Sequence, residues 1–298
     1  MKKTLWIPAV LFALLFIWSC REGEKKAGVS VSIEPLKYFV DRLTSEQVEV
    51  NVMVPMGASP QTYSPTSKQL ARVSSAGLYV QVGELGFEKA WMKKIRGFNK
   101  EMEVLNLSEN LELIGGSDHD HDGHDHSEGK DPHIWMSPKV VKNFLPHLRD
   151  VLKKAFPEQS DVIDQNYPEL YSEVENLDRK FSLLADSLKH KKFMIFHPAL
   201  TYLARDYGFE QIAIEHEGKE PSPRKLREVI DKANDEGIRI IFIQAEFDER
   251  SARMVQDATG AELAVINPLA YKWKETMEEI SVLFEEHLSE NSHSLSKQ

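Results

Sequence analysis

The chain has 298 residues, more than one ordinary hydrophobic core holds, so its length predicts two lobes or one large α/β unit. Hydrophobic residues make up 41% of the chain and charged residues 28%, which argues against a disordered protein and against a membrane bundle. The formal net charge of −10 comes without a basic stripe, and this argues against a nucleic-acid partner.

The N-terminal residues carry the features of a lipoprotein signal sequence. A basic start is followed by an apolar run over residues 5–17, which would span about 20 Å as a helix, short of the roughly 30 Å hydrocarbon core. The run leads into Cys20, the only cysteine of the chain, in a segment that resembles a bacterial lipobox. This predicts a signal peptide over residues 1–19, a membrane-anchoring lipid on Cys20 and a polar tether over residues 20–28. The alternative is a secreted protein with an unmodified cysteine.

Short β-rich runs alternate with helical patterns along most of the chain, as is typical of parallel α/β units. The runs lie at residues 29–33, 48–54, 77–82, 102–107, 192–196, 210–215, 238–244 and 261–266. Serine–proline pairs at 137–138 and 222–223 stand where a helix N-cap and first turn are expected. We predict two Rossmann-like lobes, residues 29–156 and 191–288, each with a four-stranded, mostly parallel sheet and flanking helices. Residues 289–298 are predicted to be a disordered tail.

Between the predicted lobes lies a stretch with a helical apolar pattern. Residues 161–190 contain no glycine, and apolar residues recur from Leu170 to Leu188 at spacings of four and three, which marks one face of a helix. Such a helix would be about 45 Å long, enough to cross both lobes. We predict one long rigid helix within residues 157–190 that joins the lobes. The alternative is an ordinary surface helix of one lobe.

Two histidines stand where a ligand site is expected. In open parallel sheets, ligands bind beyond the carboxyl ends of the strands, and His197 directly follows the apolar run 192–196. His133 precedes an apolar Ile134-Trp135 pair, and burying either imidazole without a partner would be unfavourable. Neutral imidazole is the common ligand of zinc and similar metals, so we predict that both meet at one metal across the lobe interface. The alternative is two structural histidines.

A second group of histidines lies in a polar segment, the predicted loop 117–130. It contains His119, His121, His124 and His126 among aspartates, glycines and serines. This composition cannot form a core and predicts disorder without metal. Its imidazoles and carboxylates would bind zinc weakly and transiently at the rim of the predicted cleft between the lobes. The histidines favour zinc over manganese, which prefers oxygen ligands; the alternative is a solvated loop with no role.

Five segments carry a family resemblance, and they stand in the expected order over nearly the whole chain after Cys20. They are GASPQTYSP (57–65), DPHIWMSP (131–138), FHPALTYLARDYGF (196–209), EGKEPSPRKL (217–226) and INPLA (266–270). They resemble the metal-binding segments of solute-binding proteins that serve ABC importers, particularly the zinc-uptake type. The resemblance implies two α/β lobes, one rigid connecting helix and a metal ion in the cleft.

The resemblance also implies a ligand set. The family typically uses a histidine in the first segment, a histidine in the second, a histidine or glutamate in the third, and often an aspartate in the last. His133 and His197 match the second and third positions, whereas Gln61 and Asn267 stand at the first and last. Amide oxygens are poor zinc ligands beside imidazole or carboxylate, so these two departures predict an incomplete donor set.

Three additions would complete such a site. A carboxylate from Glu217, Glu220 or Glu246 is one, a water molecule is another, and a histidine from the loop 117–130 is the third. The alternative to all three is a degenerate site that no longer binds metal.

The resemblance therefore implies a binding protein. We expect a monomeric, lipid-anchored protein in the periplasm or at the cell surface that captures a divalent cation, Zn²⁺ first, and delivers it to an ABC-transporter permease. Mn²⁺ or Fe²⁺ as cargo, a surface metal buffer or adhesin, and a metallohydrolase with Glu217 or Glu246 as base are the alternatives. The sequence has no nucleophile motif, phosphate-binding glycine loop or HExxH helix, so we predict that the protein is not an enzyme.

Overall fold

The computed structural model describes residues 28–115, 129–215 and 220–289. The N-terminal residues up to 27, including Cys20, the four histidines of the loop 117–130, Glu217 and residues 290–298 lie outside the described residues. Within the described ranges, no helix is both long enough and apolar enough to cross a bilayer.

The described residues form two parallel sheets. The strands of the first are β1 (Val29–Val31), β2 (Val50–Val52), β3 (Leu78–Gln81) and β4 (Glu103–Asn106), in the order β2-β1-β3-β4. The strands of the second are β5 (Lys192–Ile195), β6 (Glu210–Ala213), β7 (Ile240–Gln244) and β8 (Glu262–Ile266), in the order β6-β5-β7-β8. Each strand falls within one of the β-rich runs of the sequence, and the predicted fold class is confirmed.

Helices flank both sheets. They are α1 (Glu34–Thr44), α2 (Ser67–Ser74), α3 (Gly86–Phe98), α4 (Pro138–Ala155), α5 (Ser160–Ser187), α6 (Thr201–Tyr207), α7 (Pro223–Asp235), α8 (Arg250–Thr259) and α9 (Trp273–Leu288). The two serine–proline starts form as predicted. The Ser137 hydroxyl accepts from the Val140 N–H at 3.4 Å, and the Ser222 hydroxyl accepts from the Lys225 N–H at 3.3 Å.

The long helix predicted between the lobes is α5, which has 28 residues. Its buried face is the apolar pattern seen in the sequence, with Leu170, Val174 and Phe181 among its members. Glu173 on α5 pairs with Arg42 of the first lobe at 2.8 Å and with Lys274 of the second at 3.6 Å. The helix therefore packs against both lobes and joins them.

One hydrophobic core extends through both lobes. Its buried residues run from Val29 to Leu288, and a smaller cluster lies under α7 and α8. Two tryptophans fasten the lobes where the core crosses between them. The Trp135 indole N–H donates to the Pro268 carbonyl at 2.8 Å, and the Trp273 indole N–H donates to the Trp135 carbonyl at 2.7 Å. The buried core and these two hydrogen bonds therefore hold the two lobes in a fixed position relative to each other.

Candidate metal centre

The structure brings His133 and His197 together between the lobes. His133 stands at the start of a 3-10 turn, Ile134–Met136, which leads into α4, and His197 is the second residue after β5. The centroids of the two imidazole rings are 5.1 Å apart, and the ring planes meet at 71°. His133 is 8% exposed, so little of it faces solvent.

A carboxylate holds each imidazole at the same ring atom. Nδ1 of His133 lies 2.9 Å from Oδ1 of Asp131, which also accepts from the His133 backbone N–H at 2.8 Å. Nδ1 of His197 lies 2.9 Å from Oε1 of Glu215. A neutral imidazole that donates from Nδ1 keeps the lone pair on Nε2, the arrangement typical of metal-binding histidines. Both rings can therefore offer the lone pair of Nε2 to a metal ion.

The two carboxylates lie in different electrostatic surroundings. Burial by itself would raise the pKa of Asp131, but the electrostatic interaction with His133 and the hydrogen bonds from that residue outweigh burial and hold the pKa below its ordinary value. Glu215 has a side chain 4% exposed, and its Oε2 has no hydrogen-bond partner among the described residues. The charge of Glu215 is therefore directed at His197 through a single hydrogen bond.

The backbone of His197 is fixed by a side chain from the neighbouring strand. The Gln244 amide at the end of β7 donates to the His197 carbonyl at 2.7 Å and accepts from the His197 N–H at 3.3 Å. Gln244 is 1% exposed. The ring of Phe247 stacks on the imidazole, with centroids 5.4 Å apart and planes 30° apart. These contacts limit the movement of the His197 ring.

A small pocket of about 30 Å³ lies at the two imidazoles, and Gln61 and Glu246 also line it. A cavity of roughly 10–15 Å³ on this measure holds one water molecule, so the pocket is large enough for a metal ion. A wider cleft of about 750 Å³ lies alongside and shares Gln61, His133 and His197 with the pocket. The small pocket therefore has the size for a single cation and two imidazoles in its lining.

The residues predicted at the first and last ligand positions differ in their placement. Gln61 lies in the loop after β2, close to Gly86 at the start of α3, where an added Cβ would come within 2.4 Å of the Gln61 carbonyl oxygen. Asn267 does not line either pocket, and its Oδ1 accepts from the N–H of Leu269 at 3.0 Å. The structure therefore brings Gln61 to the two histidines and engages the Asn267 oxygen in a local turn.

Glu246 and Glu220, two of the predicted substitute ligands, also differ in their placement. Glu246 follows β7 and lines the small pocket. Glu220 lines neither pocket and accepts from the Ser251 hydroxyl at 2.5 Å. Over residues 28–115, 129–215 and 220–289, no group of three or more histidine, cysteine, aspartate or glutamate side chains is arranged to hold a metal. The described residues thus offer two imidazoles at a pocket that needs additional donors.

Sequence reasoning did not identify Asp131, Glu215 or Gln244 as functional residues. Asp131 lies two residues before His133, within a segment that carries the family resemblance, and this position is the one local signal. Glu215 ends a β-rich run, and Gln244 ends another, so their contacts with His197 depend on the pairing of strands that are distant in sequence.

Solved structures with the same fold are two-lobed metal-binding proteins. A crystal structure of ZnuA is 31% identical, with a TM-score of 0.80 over 89% of this chain and 100% of that chain. A zinc-bound deletion mutant of ZnuA is 30% identical, with a TM-score of 0.79 over 89% and 99%. The periplasmic zinc-binding protein TroA from Treponema pallidum shares the fold at 19% identity, with a TM-score of 0.75 over 89% and 99%. The fold class is therefore that of the ZnuA-type two-lobed binding proteins.

The family follows from the sequence. The model of the family described as "Zinc-uptake complex component A periplasmic" (ZnuA) matches residues 29–297, and the chain belongs to this family. This confirms the predicted resemblance and the prediction that the protein is a binding component rather than an enzyme. The zinc-binding lipoprotein AdcA of Streptococcus pneumoniae is 26% identical over 281 residues, 90% of this chain. The high-affinity zinc uptake system protein ZnuA of Bacillus subtilis is 26% identical over 287 residues, covering 90% of this chain and 89% of that protein. The chain spans 56% of the length of AdcA.

Proposed function

We propose that this protein captures Zn²⁺ between its lobes and delivers the ion to an ABC importer. The observation that carries the proposal is the pair of imidazoles, 5.1 Å apart, each held at Nδ1 by its own carboxylate so that Nε2 is free. Zn²⁺ favours imidazole nitrogen, whereas Mn²⁺ favours oxygen donors. Membership of a zinc-uptake family and the zinc-binding relatives support the same cargo.

The test is a calorimetric titration of the purified chain, residues 21–298, with zinc and in parallel with manganese. We expect one tight zinc site and weaker manganese binding. If manganese binds more tightly than zinc, the proposed identity of the cargo is wrong. If neither metal binds, the site is degenerate. Growth of a deletion strain under zinc chelation, restored by added zinc, then separates uptake from a surface metal buffer or adhesin.

Membrane attachment and the partner also belong to this proposal. The family is that of a periplasmic component of an uptake complex, and AdcA is a lipoprotein. We propose that Cys20 carries the lipid, that the protein acts as a monomer outside the cytoplasm, and that it docks on an ABC permease. Labelling with a radioactive fatty acid checks the anchor, because Cys20→Ala should abolish the label.

We propose Glu246 as a further ligand, with the Gln61 side chain beside it. Of the two substitute carboxylates among the described residues, Glu246 lines the pocket, whereas Glu220 is bonded to Ser251. A carboxylate oxygen binds Zn²⁺ far better than an amide oxygen.

Glu246→Ala is therefore expected to weaken zinc binding by roughly 10-fold to 100-fold, since the loss of one charged donor corresponds to a few kcal/mol at 1.4 kcal/mol per tenfold. The matched control is Glu220→Ala, which removes an equal charge from the same lobe and should leave the zinc dissociation constant within about twofold. Competition with a chelator of known affinity measures both. Equal losses in the two variants would assign the effect to net charge and remove Glu246 from the ligand set.

The carboxylates behind the histidines give a second prediction. Partners of this kind orient the ring and increase its basicity, and their loss typically costs 10-fold to 100-fold in metal affinity. Glu215→Gln keeps the size of the side chain but removes the charge facing His197, so we expect zinc affinity to fall by about 10-fold or more. Glu173→Gln is the control, because Glu173 pairs with Arg42 away from the pocket. Unchanged affinity in Glu215→Gln would show that this carboxylate has no role in binding.

Deleting residues 117–127 tests the predicted histidine loop. The ends of the loop meet in the described residues, where Gly115 and Lys130 form an antiparallel bridge, so a short connection can replace the deleted residues. We expect fewer zinc ions per chain at saturation and an unchanged dissociation constant for the tightest site. Loss of the tightest site would instead make a histidine of the loop a primary ligand.

A further inference from the structure

The segment that leads to His133 begins at a narrow neck, formed by residues 114–115 and 130–131. Gly115 and Lys130 form an antiparallel bridge, and the Asp131 N–H donates to the Ile114 carbonyl at 3.0 Å. Asp131 then accepts from the backbone and from the ring of His133. The position of the neck therefore determines where the His133 imidazole stands.

A tyrosine of the second lobe forms hydrogen bonds with both chain segments of this neck. The Tyr202 hydroxyl donates to the Asp131 carbonyl at 2.8 Å and accepts from the Ile114 N–H at 3.2 Å. Tyr202 is 0% exposed. Burial raises the pKa of Tyr202 to about 12, so the hydroxyl keeps its proton at neutral pH and remains a donor. One buried hydroxyl thus bonds to both sides of the neck.

Tyr202 belongs to α6, the helix that begins just after His197. In the same turn, the Thr201 hydroxyl donates to the carbonyl of Pro198, the residue after His197, at 3.0 Å and accepts from the Gln211 amide at 2.9 Å. The first turn of α6 is therefore tied through Thr201 to the residue that follows His197 and through Tyr202 to the residue that holds His133. This is a direct structural connection between the two imidazoles.

We propose that Tyr202, with Thr201 beside it, is a positioning residue that sets the His133 imidazole relative to His197. The inference rests on the proposed metal-binding function. Tyr202 does not touch the metal; it acts through Asp131. Without its hydroxyl, the Asp131 carbonyl and the Ile114 N–H lose their partner, and His133 loses its fixed support.

The test is Tyr202→Phe, with Tyr207→Phe as the matched control. Tyr207 lies on the same helix, is 6% exposed, and bonds through its hydroxyl to Asp178 at 3.0 Å, away from the two imidazoles. We expect the zinc dissociation constant to rise about 10-fold in Tyr202→Phe, the size seen when the support of a metal ligand is lost. Tyr207→Phe should change it by less than about twofold, although both variants lose a buried hydrogen bond.

A double-mutant cycle separates positioning from general loosening. In an Asp131→Ala background the oxygen that accepts from His133 is absent, so Tyr202→Phe should add less than about a twofold loss. The nitrogen NMR signals of the metal-free protein give a second readout: Tyr202→Phe should shift the Nδ1 signal of His133 and leave that of His197 in place. Equal losses in Tyr202→Phe and Tyr207→Phe, or full additivity with Asp131→Ala, overturn the inference.

Failure of the inference is distinct from failure of the proposed function. If the natural chain does not bind zinc, or if His133→Ala leaves the affinity unchanged, the proposed function fails. If the natural chain binds zinc through His133 but Tyr202→Phe binds it equally well, only the role of Tyr202 is overturned. Should Tyr202→Phe lose its native circular dichroism spectrum, Thr201→Val takes its place: a weakened zinc affinity supports the inference and an unchanged one overturns it.

Discussion

Replacing His133 or His197 by alanine is expected to weaken zinc binding by roughly 100-fold or more. Zinc sites with about four ligands bind with apparent free energies of roughly 10–16 kcal/mol, so one imidazole corresponds to about 3 kcal/mol, or 100-fold at 1.4 kcal/mol per tenfold. The described residues present two free Nε2 atoms at the pocket, so a remaining imidazole should not compensate for the one removed. Titration against a competing chelator measures the change.

His147→Ala is the control for these two variants. His147 lies on α4, is exposed, and does not line the pocket of the two imidazoles. Its removal should leave the zinc dissociation constant within about twofold, since it neither binds nor supports the ion. A loss confined to one of His133 and His197 would contradict a shared site, and a similar loss in His147→Ala would indicate nonspecific binding by surface histidines.

Replacing Trp273 by alanine is expected to lower the free energy of unfolding by about 3–5 kcal/mol, the usual range for a truncated core tryptophan. Trp273 is 2% exposed, packs against Phe39 with ring centroids 5.0 Å apart, and donates to the Trp135 carbonyl. It therefore joins the second lobe to a helix of the first. Urea denaturation followed by circular dichroism gives the change, and the natural chain should unfold in one transition because a single core extends through both lobes.

Trp91→Ala provides the comparison. Trp91 lies on α3, is partly buried at the edge of the core, and has Lys94 over its ring at 4.8 Å. Because less of this side chain is removed from water, its truncation should cost clearly less than that of Trp273. Two separate transitions in the natural chain, or equal losses in the two variants, would show that the tryptophan contacts do not fasten the lobes.

The architecture could be predicted because its signals are local. The β-rich runs, the two serine–proline starts and the apolar spacing within α5 each depend on neighbouring residues, and each corresponds to an observed element. His197 could be placed at the edge of a sheet for the same reason, since it directly follows the apolar run 192–196, which contains β5. Periodicity and capping are therefore sufficient for the two sheets and the connecting helix.

The supports of the site could not be predicted because they depend on long-range contacts. Glu215 and Gln244 reach His197 through the pairing of β5 with β6 and with β7, which no local pattern specifies. For Asn267 the prediction is limited by a local contact instead. The resemblance places it at a ligand position, yet its oxygen accepts from Leu269 two residues later, a local turn that asparagine readily forms. A motif gives the position of a residue, whereas the packing around it decides which partner its side chain takes.

The most direct test is a crystal structure of the zinc-loaded chain. Nε2 of His133 and Nε2 of His197 should both lie about 2.0–2.1 Å from one zinc ion, as in other zinc–imidazole sites. Nδ1 of each ring should remain bonded to Asp131 and to Glu215. A zinc ion held by one of these imidazoles alone, or rings turned so that the two Nε2 atoms face away from each other, would contradict the central claim that both histidines grip a single cation.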